Sequence, residues 1–321
     1  MYRRLLVATV ISTGLIAAPA AQADVLDQLY APLHVHPPLA PSPSFIKSHF
    51  PTISIHDAMR KKGYTAANVG YYTKGTRSAK STYPDSFYLR TAAGKRIKDR
   101  ARSNYFVMNP ASSGWRKEVA KACSKVPDWC FVDAMGDDGY TRVTAKPKMS
   151  KAQWTRALLD MASYLEKAGS YRVVANNLIS AKGDKIAVGY EMFARVPAER
   201  SLQVLKNTVC FCFVKLGTTE RARYGFSLFL SGANSADRVS VGTDHQPGKW
   251  WPFFKKGAQL GKALGEATVK GDLITRQFEH GTVVVNAGSS EKRLALGAGR
   301  QPVGGAAALK VGARDGAIIL R

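Results

Sequence analysis

KAQWTRALLDMASYLEKAGSYRVVANNL, residues 151–178, reads as a long amphipathic helix closed by Gly169, followed by a strand that ends in Asn176 and Asn177. Working outward, the same alternation recurs on both sides. Upstream, SSGWRKEVAKACSKV (112–126) is an amphipathic helix with Ser112 or Ser113 as N-cap, and DWCFVDAMGDD (128–138) is a strand running into a loop. Downstream come a strand in KIAVGYEMF (185–193), a helix in AERSLQVLKN (198–207) and a strand in VCFCFVKL (209–216). RARYGFSLFLSGA (221–233) then reads as a buried helix and RVSVGTD (238–244) as a last strand. Toward the N-terminus, SFIKSHF (44–50), ANVGYYTK (67–74) and SNYFVMNP (103–110) read as strands.

Strands alternating with helices of this length predict an α/β fold with a parallel sheet and crossover helices. About eight strands within roughly 200 residues favour a (β/α)8 barrel, a TIM barrel, over an open doubly wound sheet. No strand is followed by a GxGxxG or GxxxxGK[ST] run, which removes the usual nucleotide-binding reading. Near residue 265 the pattern turns to short strands separated by turn residues, as in LITRQFEHGTVVVNAGSS, and the chain closes on LKVGARDGAIILR. The expected organisation is a lead-in over 24–44, a barrel over 45–265 and a small C-terminal antiparallel, sandwich-like β domain over 266–321 packed on the barrel.

The first residues, MYRRLLVATVISTGLIAAPAAQA, read as a cleavable signal peptide over 1–23. Arg3 and Arg4 form the basic region, an apolar core follows, and cleavage falls before Asp24. The core is too short and too broken by Pro19 to span a bilayer, and no later stretch is long enough to do so. The expected location is therefore secreted, periplasmic or cell-envelope. Just under 300 residues then remain, 45% of the whole chain is hydrophobic, and that amount of apolar surface argues for a packed globule. The formal charge is +24, which attracts anionic partners such as an acidic polysaccharide. Lys and Arg are spread along the chain with no nucleic-acid module, so nucleic acid is not an expected partner. Four cysteines in an oxidising compartment invite a disulfide, and Cys123 with Cys130 could staple a helix end to the next strand. Cys210 and Cys212 sit at i and i+2 of a strand, a stretched spacing that favours packed thiols. No cysteine spacing suggests zinc, and His34 with His36 near a terminus read as solvated. No cofactor is expected.

In a barrel of this kind chemistry sits at the C-terminal ends of the strands. Asp133, the pair Asn176 and Asn177, and Glu191 each end an apolar run. Two carboxylates on nearby strands are the minimum apparatus for glycoside hydrolysis. Glu191 has apolar neighbours in sequence, the surroundings that keep a general acid protonated. The alternatives are an N-cap for Asp133, a buried ion pair for Glu191, and a turn for the two Asn. Asp137 and Asp138 belong to the loop, where one of them, Asp137 first, could touch substrate. Trp250 and Trp251, in HQPGKWWPFF, are candidates for a sugar-stacking platform or for loop anchors. A serine-hydrolase reading lacks its G-x-S-x-G elbow, leaving His245 beside Asp244 as the one histidine to inspect.

Four segments in order, NPASSGWRKEVAKAC before DWCFVDAMGDD, then VVANNL, GYEMF, and GKALGEATVKGDLITRQFEHGTVVVNAGSS with a closing GAIIL, resemble a known group. These are the secreted barrel proteins of hypothetical glycosyl hydrolase-like families, related in layout to the α-amylase superfamily. The resemblance covers roughly residues 45–321. It implies Asp133 as nucleophile or base and Glu191 as acid, and departs from the family in the extra acids of the strand-four loop and the basic surface. The expected function is cleavage of glycosidic bonds in an extracellular or envelope polysaccharide, with an anionic polymer weakly preferred. The alternative is a non-catalytic carbohydrate- or envelope-binding barrel.

Overall fold

Strands that are apolar on both faces need cover on both sides, which a parallel sheet wrapped by helices provides. The computed structural model describes residues 25–33, 41–126, 128–136, 138–191, 193–215, 218–242, 250–295 and 308–321. Its main sheet has eight parallel strands: β1 (Tyr30–Leu33), β2 (Thr52–Ile55), β3 (Asn68–Lys74), β4 (Trp129–Asp133), β5 (Arg172–Asn176), β6 (Ile186–Tyr190), β7 (Cys210–Val214) and β8 (Arg238–Val241). They pair in that order, and a parallel bridge between Leu29 and Val239 joins the last strand to the first. The result is a (β/α)8 barrel.

Period-two alternation sends every second side chain into the barrel. The interior is filled by Tyr30, Trp129, Phe131, Val174, Ala187, Phe211 and Phe213. Tyr30 meets Trp129, Phe211 and Phe213 edge-on, with centroids 5.6, 5.3 and 5.6 Å away. Rings of this size fill the narrow interior and leave a solid floor under the C-terminal mouth. Gly70 makes room for one of them, since a Cβ there would lie 2.2 Å from the Trp129 indole.

Among the described residues eight α-helices accompany the strands: α1 (Pro43–His49), α2 (Asp57–Lys61), α3 (Ser113–Cys123), α4 (Asp138–Thr141), α5 (Lys151–Ala168), α6 (Ala198–Asn207), α7 (Thr219–Gly232) and α8 (Pro252–Ala258). Ser112 caps α3, and Ser150 with Gln153 forms a full capping box on α5. Gly169 ends α5 as the sequence predicts.

Two expected strands are not barrel strands. SFIKSHF is α1: the Ser42 side chain accepts the Phe45 N–H and Pro43 occupies the first turn, a helix start that outweighs the apolar run. SNYFVMNP contributes only Phe106–Val107, paired antiparallel with Arg77–Ser78 outside the barrel. Their places are taken by YAPL and TISI. The expected lead-in over 24–44 therefore contains β1, a four-residue strand with a central proline and hence little strand signal.

Beyond α8 lie β9 (Thr268–Lys270), β10 (Leu273–Phe278), β11 (Gly281–Asn286), β12 (Lys292–Ala295), β13 (Ala308–Val311) and β14 (Asp315–Leu320). Antiparallel β9-β10-β11-β14 form one sheet, and β12 pairs with β13. One face of the larger sheet buries Ile274, Phe278, Val283 and Val285 in the same core as α7, while Val284 and Ile319 on the other face pack against Val311. Polar contacts fix the docking: Arg223 of α7 pairs with Asp315, and Arg276 donates to the Leu230 and Ala233 carbonyls at the end of α7, at 2.9 and 2.8 Å. No helix among the described residues is long and apolar enough to cross a membrane. The expected signal peptide lies outside them.

Cys123 and Cys130 form a disulfide with Cα atoms 5.1 Å apart. Cys210 and Cys212 are also bonded, where packed thiols were expected. Their Cα atoms are 5.4 Å apart, inside the range a disulfide accepts. Unreduced, unfolded protein treated with iodoacetamide is expected to show no mass increase; addition of two alkyl groups would show that one of the pairs is open.

Asp237 ties β8 to β7. Its fully buried carboxylate accepts the Cys210 N–H at 2.7 Å and the Asn234 N–H at 2.8 Å. Burial outweighs these donors and the charges of Arg238 and Arg276, raising its pKa to about 7. The folded chain then keeps a proton that the unfolded chain releases above pH ~4. Stability contributed at low pH is therefore lost as pH rises toward 7. Urea unfolding of the native chain is expected to lose stability over that window relative to Asp237→Asn, by up to ~1.4 kcal/mol per pH unit; parallel profiles would contradict it.

Candidate active site

The last inward-facing side chain of five successive strands forms an arc at the C-terminal mouth. In strand order these are Lys74 (β3), Asp133 (β4), Asn176 (β5), Glu191 directly after β6, and Lys215 directly after β7. Period two places each of them above another inward residue: Tyr72, which packs on the interior cluster, lies below Lys74, Phe131 below Asp133, Val174 below Asn176, Gly189 below Glu191 and Phe213 below Lys215.

Asn176 joins the two acids. Its side-chain amide donates to Asp133 Oδ1 at 2.8 Å and to Glu191 Oε1 at 3.0 Å. Those two oxygens are thus no more than about 5.8 Å apart, a proximity compatible with the ~5–5.5 Å carboxyl separation of retaining glycosidases. Asn176 itself is 1% exposed, so it touches the acids rather than anything in the cleft. Its Oδ1 faces Gly189, where an added Cβ would lie 2.7 Å away.

Asp133 receives two further donors, the Tyr72 hydroxyl at 2.6 Å on Oδ2 and the Ala134 N–H at 2.7 Å on Oδ1. Burial, reinforced by the Asp133 charge, raises the Tyr72 pKa well above its usual value and keeps this hydroxyl a donor. The Tyr72 ring stacks on Phe131, with centroids 6.0 Å apart. Beneath them the Tyr30 hydroxyl shares a 2.5 Å hydrogen bond with Ser54.

Asn177 has a separate task. Its Oδ1 accepts the Glu191 N–H at 3.2 Å, and its own N–H bonds the Gly189 carbonyl at 2.6 Å, fixing the exit of β6. Ala134 and Asn177 both adopt left-handed backbone, with φ of 58° and 63°. That conformation costs an Ala ~1 kcal/mol or more, and here it turns the chain sharply after Asp133 and after Asn176.

The apolar surroundings expected of Glu191 are not what its carboxylate meets. Lys215 Nζ lies 3.2 Å from Oε1, with the Glu191 side chain 34% and the Lys215 side chain 19% exposed. The sequence reading also missed Tyr72, Lys74 and Lys215. They become recognisable only through the strand register, which sets Lys74 opposite Asp133, with Tyr72 two residues before Lys74 and Lys215 two residues beyond the inward Phe213.

Trp251 is buried, its indole N–H donates to the Val241 carbonyl at 3.0 Å and its ring stacks on Phe253. Trp250 packs edge-on against His49 and Phe254. Both serve as packing anchors for the chain around α8. Asp137, Asp244 and His245 lie outside the described residues, as do His34 and His36. Among the described residues no group of three or more His, Cys, Asp or Glu could hold a metal ion.

No protein-family model matches the chain, and no curated protein matches it in sequence. Solved structures do resemble it. A MutB variant in complex with its substrate sucrose superposes with a TM-score of 0.52 at 10% identity, over 92% of this chain and 99% of that one. Ega3 of Aspergillus fumigatus in complex with galactosamine gives 0.46 at 12% identity, over 73% and 98%. The cyclic α-maltosyl-(1→6)-maltose hydrolase of Arthrobacter globiformis gives 0.46 at 11%, over 94% and 100%. At these identities the likeness to MutB is one of fold, and it agrees with the barrel described above.

Because Gly189 leaves the space Asn176 needs, Gly189→Ala is expected to displace the Asn176 amide and lower stability by ~1–3 kcal/mol. Urea denaturation checks this; an unchanged midpoint would show that the site is not packed as described.

Proposed function

We propose that the chain is a retaining glycoside hydrolase acting on an extracellular or cell-envelope polysaccharide, with Asp133 as nucleophile and Glu191 as acid and then base. The observation that carries this reading is the Asn176 amide held in common by the two carboxylates at the mouth of the barrel. Tyr72, Asn176 and Ala134 each offer a donor to Asp133, an arrangement suited to an ionised carboxylate. In the first step an Asp133 oxygen attacks the anomeric carbon while Glu191 gives its proton to the departing glycosidic oxygen. In the second, Glu191 takes a proton from water, which attacks the same carbon and releases Asp133. No cofactor enters this scheme. The signal-like first residues and the two disulfides support action outside the cytoplasm.

A second reading, a carbohydrate-binding barrel without turnover, is favoured by one observation: Lys215 is paired with the residue that must carry the proton. The two readings separate in a screen of purified protein on acidic and neutral polysaccharides. Asp133→Asn and Glu191→Gln are each expected to lower the rate by at least ~10²–10⁴-fold, with the native chain releasing product of retained anomeric configuration by NMR. Equal rates in all three proteins would overturn the assignment of the pair, and inverted product would overturn the nucleophile.

A further inference from the structure

The arc at the mouth runs cation, acid, amide, acid, cation, with a lysine on the outer side of each carboxylate. Lys74 is in register with Asp133 across β3 and β4, and Lys215 lies 3.2 Å from Glu191. Both sit on the inner face of the barrel rather than on its solvated outer surface, where most of a protein's lysines are found. The Lys74 ammonium is held in place by the Tyr105 hydroxyl and lies 3.7 Å from the centre of the Tyr105 ring. Further cations border the same rim. Arg195 donates to the Lys215 carbonyl, and the charge of Arg102 is felt at the Tyr72 hydroxyl.

Drawing two lysines into a partly desolvated cleft costs free energy, and a neutral sugar returns little of it. An anionic sugar returns more, because an ammonium carries three N–H donors and can serve a carboxylate of the protein and an anion of the ligand together. The same lysines sit beside the proposed reaction centre, so the anion would lie on a sugar that flanks the scissile bond. The chain's overall charge of +24 favours the same encounter at long range.

We propose that Lys74 and Lys215 bind the anionic groups of the substrate, which makes that substrate an acidic glycan. The proposal builds on Asp133 and Glu191 as the reacting pair, but it concerns recognition, and its test is binding. The mature chain is titrated at ~0.15 M salt, which weakens diffuse surface attraction, with polygalacturonate, alginate and a glycerol-phosphate teichoic acid. Carboxyl-reduced forms of the two uronates serve as neutral counterparts. At least one acidic polymer is expected to bind. Where it is a uronate its reduced form should bind at least tenfold more weakly, and preference between uronate and teichoic acid identifies carboxylate or phosphate as the anion. The double variant Lys74→Gln/Lys215→Gln should lose at least tenfold, and Lys74→Arg/Lys215→Arg should recover most of the loss. Lys255→Gln/Lys256→Gln, on the exposed side of α8, should lose less than twofold. Binding of none of the acidic polymers, equal binding of the reduced ones, or equal losses in the mouth and α8 variants would overturn the proposal. Lysine-dependent binding without cleavage would sustain it and sink the hydrolase. Asp133-dependent cleavage of a neutral polymer, untouched by the lysine changes, would do the reverse.

Discussion

One side-chain amide, that of Asn176, stands between two carboxylates and donates to both. Two acids this close repel each other, and without a donor between them they would swing apart or share a proton. The amide supplies a fixed spacer with an N–H for each. Its orientation is not free to reverse, since turning its oxygen toward two carboxylate oxygens would place acceptors against acceptors. Gly189 admits the Asn176 oxygen on the other side, and Asn177 holds the Glu191 backbone where the shared donor can reach it. The rest of the mouth can be understood as what is needed to keep this amide buried and oriented.

That support comes from below. A buried amide between charges is tolerable only if the surrounding frame cannot relax away from it. The aromatic filling of the barrel provides such a frame: Tyr30, Trp129, Phe131, Phe211 and Phe213 interlock edge to face, and Tyr72 rises from that layer to Asp133. The left-handed turns at Ala134 and Asn177 follow from the same demand. Each strand must end abruptly after its functional residue so that the loop clears the cleft, and the packed floor offsets the local cost.

How much of this could be read in advance depended on the local apolar pattern. β4 to β7 are each built on a run of at least three apolar residues with a polar residue at or just past its end, and they were legible, as were β3 and β8, together with Asp133, Asn176 and Glu191. β1 and β2 were not. YAPL and TISI are four residues each, one interrupted by Pro32, and their strand character comes from pairing with neighbours distant in sequence rather than from their own pattern. SFIKSHF drew the strand assignment instead, although Ser42 and Pro43 form a helix start. Lys74 and Lys215 were hidden for a different reason. A lysine after an apolar run looks like the solvated end of a strand, and only closure of the barrel turns that position inward.

Closure also gives the C-terminal sheet a part in the site. The sheet packs its Ile274, Phe278, Val283 and Val285 into the core beneath α7 and grips that helix through Arg223 with Asp315 and through Arg276 at its end. Gly316 of β14 lies so near α7 that a Cβ would be 2.5 Å from Ser227. On its opposite side α7 presses on β7: a Cβ at Gly225 would be 2.2 Å from Val214, the residue before Lys215. The sheet, the helix and the strand are therefore in direct contact at these two points. A shift of the sheet along α7 would be transmitted, by contacts this close, to the end of β7 and so to the cation beside Glu191.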